Sequence, residues 1–97
     1  MKAILFDGNE IQTADEIADA LVQYACALAS HRQTDEVTIP IARGGAVVDC
    51  MLCLGAAVVW ATYPVPEADL IVVPGAADTA HDLHERRERL GREWVGG

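Results

Sequence analysis

The side chains best suited to metal or redox chemistry fall in two short motifs, Cys50-Met51-Leu52-Cys53 and His81-Asp82-Leu83-His84. Taken as one ligand set, Cys50, Cys53, His81 and His84 make a C-x2-C…H-x2-H inventory of the kind that binds zinc. The histidine spacing is shorter than a zinc finger's usual three to five intervening residues. The cysteines also lie in an apolar, strand-like run, where positions 50 and 53 point to opposite faces. A redox-active C-x-x-C sits instead at a helix N-terminus, where the dipole lowers the thiol pKa. The pattern predicts thiols that act as small hydrophobes, with no metal and no cofactor.

No other motif assembles a reactive set. Ser30 is the only serine, and its neighbour His31 points away from it on a helix end. Val73-Pro74-Gly75-Ala76-Ala77-Asp78 runs through a glycine toward a helix, as anion-binding loops do. One glycine is far short of a phosphate cradle, and Asp78 would repel a phosphate. The expectation is a protein that binds and does not catalyse.

Charge narrows what it would bind. Fifteen acids oppose seven bases, for a formal charge of -8. Nucleic acid and anionic membrane surfaces both demand basic patches and are excluded as expected partners. The asymmetry is strong: Lys2, Arg32 and Arg43 are the only bases before residue 86, while Arg86, Arg87, Arg89 and Arg92 crowd the end. An acidic body of this kind suits a basic protein partner. Some acids have local explanations in helices. Asp7, Glu10, Asp35, Glu36, Asp49, Glu67 and Asp69 do not, and several flank turns where a partner can reach them; of these, Asp35, Glu36, Asp49, Glu67 and Asp69 are the candidate partner-binding residues.

The elements that must carry these groups follow from periodicity. Ninety-seven residues form one domain, 1–97, and 52% hydrophobic content excludes intrinsic disorder. Residues 2–6 and 10–12 flank Asp7-Gly8-Asn9 and predict a hairpin. Thr13 with Glu16 three residues on reads as a capping box for a helix over 14–30, whose apolar face is Ala14, Ile17, Ala18, Leu21, Ala25 and Leu28. Alternation over 36–42 predicts a strand placed at an edge or bulged at Pro40. Gly44-Gly45 predicts a turn into a second strand over 46–54, and further strands are expected at 58–65 and 70–73. A charged helix over 77–94 is laced by Asp82–Arg86, Glu85–Arg89 and Glu88–Arg92 pairs around a thin stripe of Ala80, Leu83, Leu90 and Trp94.

The expected fold is therefore α+β, a small mainly antiparallel sheet in the order β-β-α-β-β-β-β-α, with one amphipathic helix on one face and a charged C-terminal helix. Because the central strands are apolar on both faces, both faces are expected to be covered, the second by the last helix or by another subunit in a homodimer. The run from Cys50 to Pro66 is uncharged but holds Gly55, Pro64 and Pro66, so it predicts strands and no membrane span. With no secretion signal and an odd number of cysteines, the expected compartment is the cytoplasm.

Gly96-Gly97 at the end, with the opening hairpin and helix, resembles the ubiquitin-like sulfur carriers of thiamine and molybdopterin synthesis. That resemblance implies a β-grasp start and a tail modified at Gly97. In that family a strand leads into the tail, whereas here a charged helix does. The leading expectation is a small acidic cytoplasmic protein-binding module, in the manner of an adaptor, antitoxin, immunity protein or inhibitor. The carrier and a small zinc-binding module are the alternatives.

Overall fold

The computed structural model describes residues 1–55, 60–66 and 71–95. Strands β1 (Lys2–Phe6) and β2 (Asn9–Thr13) form the opening hairpin, followed by helix α1 (Asp15–Ser30). Strands β3 (Asp35–Arg43) and β4 (Ala46–Leu54) form a second hairpin, then come β5 (Trp60–Pro64) and helix α2 (Ala76–Val95). The sheet order is β4-β3-β2-β1-β5, and every neighbouring pair is antiparallel. This is an α+β fold, as its alternation and helix periodicity predict.

Both hairpins turn through two residues in the left-handed region. Asp7 and Gly8 have φ of 47° and 76°, and Gly44 and Gly45 have 61° and 81°. These backbone angles twist with the strands, which is why Asp-Gly and Gly-Gly occur there. Helix α1 ends in a Schellman motif: the Gln33 amide donates to the Leu28 carbonyl and the Arg32 amide to that of Ala29. Arg32 takes the left-handed position usually held by glycine, with φ 55°.

Helix α1 lies across β5, β1 and β2, and α2 packs along α1. The core is filled from the sheet by Ile4, Ile11, Val37, Ile39, Ile41 and Leu54, from α1 by Ile17, Leu21, Tyr24 and Leu28, and from α2 by Ala80, Leu83 and Leu90. At roughly 1.5–3 kcal/mol for each large side chain withdrawn from water, this cluster is the main driving force for folding. Lys2 reaches over the start of α1, its ammonium 2.8 Å from Asp19, and that hydrogen bond raises its pKa.

Four expectations are corrected. Thr13 does not cap α1: the N-cap position is Ala14, with no side-chain cap bond. Thr13 instead ends β2, is fully buried, and donates from Oγ1 to the Pro40 carbonyl at 2.7 Å. A buried hydroxyl facing a strand carbonyl gains more there than at a solvated cap. Pro40 does not place β3 at an edge, since β3 lies between β4 and β2, nor does it bulge the ladder with β4, whose register runs unbroken through Pro40↔Asp49. A strand residue directs its N–H and C=O to the same side, so Pro40's missing donor faces β2. There the ladder is short, with Gln12↔Ala42 its one pairing among the described residues.

The expected strand at 70–73 is not formed by its described part. Ile71–Val73 carry no ladder, Val73 is buried in the core, and Val72 is 79% exposed; Leu70 lies outside the described residues. A connection anchored by one apolar side chain mimics a strand in composition alone. Finally, the second sheet face is not covered by α2. Both helices lie on one side of the sheet, because α2's apolar stripe packs chiefly on α1.

Candidate functional site

Two places concentrate polar groups in a defined geometry. One is a cleft where the start of β3 meets both helices, about 330 Å³ in volume and lined by Tyr24, Leu28, Gln33, Thr34, Asp35, Arg86, Arg89 and Leu90. The other is the sheet face turned away from the helices.

In the cleft, Asp35 accepts a hydrogen bond of 2.6 Å from the Tyr24 hydroxyl and one of 2.8 Å from Arg86 Nη1. Arg86 Nε is 3.0 Å from Asp82 Oδ2, the i,i+4 pair expected on the last helix. Burial pushes the Asp35 carboxyl up, but the bonds from Tyr24 and Arg86 outweigh it and hold the group below its ordinary value. Burial first, and then the bond to Asp35, push the Tyr24 phenol up to about 12. The hydrogen bond to Asp35 raises Arg86 further. A phenol held neutral and a carboxylate already satisfied by two donors make a poor base and a poor nucleophile. The arrangement ties α1, β3 and α2 together. Asp35, expected to meet a partner, is committed within the chain.

The opposite face is different in kind. Ladder register places on it Ala3 and Leu5 of β1, Glu10 and Gln12 of β2, and Glu36, Thr38, Pro40 and Ala42 of β3. Val47, Asp49, Met51 and Cys53 of β4 and Ala61 and Tyr63 of β5 complete it. Met51 is 66% exposed, and Leu5 and Tyr63 are each 41% exposed. Ala3, between Gln12 and Tyr63, is the one fully covered residue among the described residues of this face. The Tyr63 hydroxyl donates to the Glu10 carboxylate, spanning β1 and holding both side chains over the face. The charges among the described residues of this face are all acidic: Glu10, Glu36 and Asp49. The sheet's bases, Lys2 and Arg43, project to the helix side by the same register.

Of the acids singled out in the sequence, this face carries Glu10, Glu36 and Asp49, with Cys53 beside Glu36 across the ladder. Glu67 and Asp69 lie outside the described residues. Leu5 and Tyr63 carry no motif, and register is the signal that places them, with Met51, beside these acids. The four candidate zinc ligands are not brought together: Cys50 faces the helix side, Cys53 faces away, and His81 pairs with Glu85 at 3.0 Å. No group of three metal-binding side chains occurs among the described residues. Gly96 and Gly97 lie outside the described residues, and helix α2 leads toward them.

Comparison with known proteins finds no match: no family model fits the chain, and no curated protein or solved structure is significantly similar to it. No helix among the described residues is long and apolar enough to cross a membrane.

Proposed function

We propose that this protein is a non-catalytic protein-binding module whose exposed sheet face receives a basic, amphipathic partner. One observation carries the reading: a sheet face that neither helix covers presents Leu5, Met51 and Tyr63 among Glu10, Glu36 and Asp49, with no described base on it. Exposed apolar surface rimmed by charge is the usual form of an interaction site. The single sign of the charge selects the partner's, because like charges brought together on docking cost several kcal/mol. A partner offering an apolar stripe flanked by lysine or arginine meets both requirements. The acids steer the encounter and the apolar side chains hold the complex.

The test compares capture of a protein from native extract by wild type and by Glu10→Lys/Glu36→Lys, both folded by melting. The expected result is a stoichiometric partner with wild type, at least tenfold weaker with the variant, and an association rate that falls as salt rises. Equal capture by both proteins would return the acids to a solubility role.

A further inference from the structure

We infer that β4 is an edge built to pair with β4 of a second copy, in an antiparallel register centred on Cys50, joining two sheets into one of ten strands. The inference is independent of the partner proposed for the open face. It begins from which backbone groups the sheet leaves over. Pro40 has no amide and its carbonyl is taken by Thr13 on the β2 side, so Pro40 and its ladder partner Asp49 do not exchange backbone bonds. The two-residue turn at Gly44-Gly45 closes on Arg43↔Ala46, which fixes the same alternation from the other end. Asp49 therefore directs its N–H and C=O away from β3, as do Val47, Met51 and Cys53. Among the described residues β4 has β3 as its single ladder partner.

The two sheet edges are unlike. At the other edge, β5 has five residues, and the outward alternation set by its pairing with β1 falls on Trp60, Thr62 and Pro64, the last without an amide. That edge is short and blunted by proline. β4 offers nine residues, with no proline, lysine or arginine and an unbroken register. Its one charge is Asp49, and it has neither the proline, the bulge nor the shortness by which proteins commonly guard an edge.

The occupant follows from the strand's own pattern. When Ala46 is set opposite Leu54 of the second copy, Cys50 meets Cys50 and all nine residues are paired. Each of the four outward residues then both donates and accepts across the interface. In this register Asp49 faces Met51 of the second copy and Val47 faces Cys53, while Val48 faces Leu52 on the helix side. No acid opposes an acid. A shift of the strand by two residues in one direction puts Asp49 against Asp49, and in the other it leaves Val47 opposite Gly55, beyond the strand. The dyad runs through the sheet, so both copies keep their helices on one side, and the two open faces become one continuous surface. This is an isologous interface of the commonest symmetry.

The experiment measures self-association by analytical ultracentrifugation, together with diamide oxidation of Cys26→Ser/Cys53→Ser, in which Cys50 is the remaining thiol. Paired strands at this register hold the two Cys50 Cα atoms about 4.5 Å apart, within the range a disulfide spans. The expected results are a dimer at micromolar concentration that tightens as salt screens two acidic bodies, and a covalent dimer through Cys50. Asp49→Pro removes an amide the chain itself does not use, and should give a folded monomer. Met51→Glu, at a highly exposed position, opposes a carboxylate to Asp49 of the second copy twice and should weaken the dimer about tenfold. A wild-type protein monomeric at 100 µM would overturn the inference. So would a dimer unaffected by Met51→Glu, or one that Cys50 fails to cross-link. A dimer that weakens with rising salt would point to charge pairing elsewhere and would also overturn it.

Discussion

Removing the Asp35 carboxylate should destabilise the fold without touching partner binding. The carboxylate accepts from Tyr24 at 2.6 Å and from Arg86 at 2.8 Å, and the Asp35 and Arg86 side chains are each about one-third exposed. A hydrogen bond to a charged group contributes about 1.5–3 kcal/mol, and partial exposure places these two near the lower limit. Asp35→Ala, which also strands the Tyr24 hydroxyl, should cost about 2–3 kcal/mol, and Asp35→Asn, which keeps an acceptor, about half as much. Urea unfolding followed by circular dichroism measures both. The pH dependence has a defined sign. Asp35 is held below its ordinary 3.8, so its contribution is present above that pH and is lost as pH falls through the lower folded-state value. The gap between wild type and Asp35→Ala should thus be full at pH 7 and close below about pH 4. Tyr24 is raised from 10 to about 12, so the neutral phenol stabilises fully below pH 10, and that contribution is lost as pH rises through 12. A loss under 0.5 kcal/mol for Asp35→Ala, or a gap that does not narrow in acid, would refute the reasoning.

Thr13→Val should cost about 1–3 kcal/mol in the same assay, because it leaves the Pro40 carbonyl without its partner. Thr13→Ser should cost about 1 kcal/mol through the methyl lost from a fully buried site, whereas a helix cap would tolerate serine without loss. Gly55→Ala should cost 3 kcal/mol or more, since φ there is 108° and an added Cβ would overlap the Gln33 carbonyl oxygen; a loss under 1 kcal/mol would show that the turn into 33–34 yields.

Local pattern made much of this fold legible. The 3.6-residue spacing from Ile17 to Leu28 and the alternation of Val37, Ile39 and Ile41 each had one core-facing solution, and Gly44-Gly45 fixed the hairpin between β3 and β4. Thr13 misled because Thr-x-x-Glu is a local motif, while the bond that wins is made with Pro40, far along the chain. Asp35 looked unengaged because its partner Arg86 is 51 residues away. The apolar character of both β4 faces was visible, but whether helices flank a sheet or stack on one side depends on α2's choice between α1 and the sheet, which no single segment encodes. The docking face was half legible. Glu10, Glu36 and Asp49 stood out as unexplained acids, whereas Leu5, Met51 and Tyr63 join them only through strand order.

The central claim is that the open sheet face is the docking surface, and amide chemical-shift mapping of the isotope-labelled protein with its captured partner tests it most directly. The account predicts shifts at Leu5, Glu36, Met51, Cys53 and Tyr63 that fade as salt rises, with Tyr24, Asp35 and Arg89 unmoved. Shifts confined to the cleft around Asp35 and Arg89, with the open face silent, would contradict it.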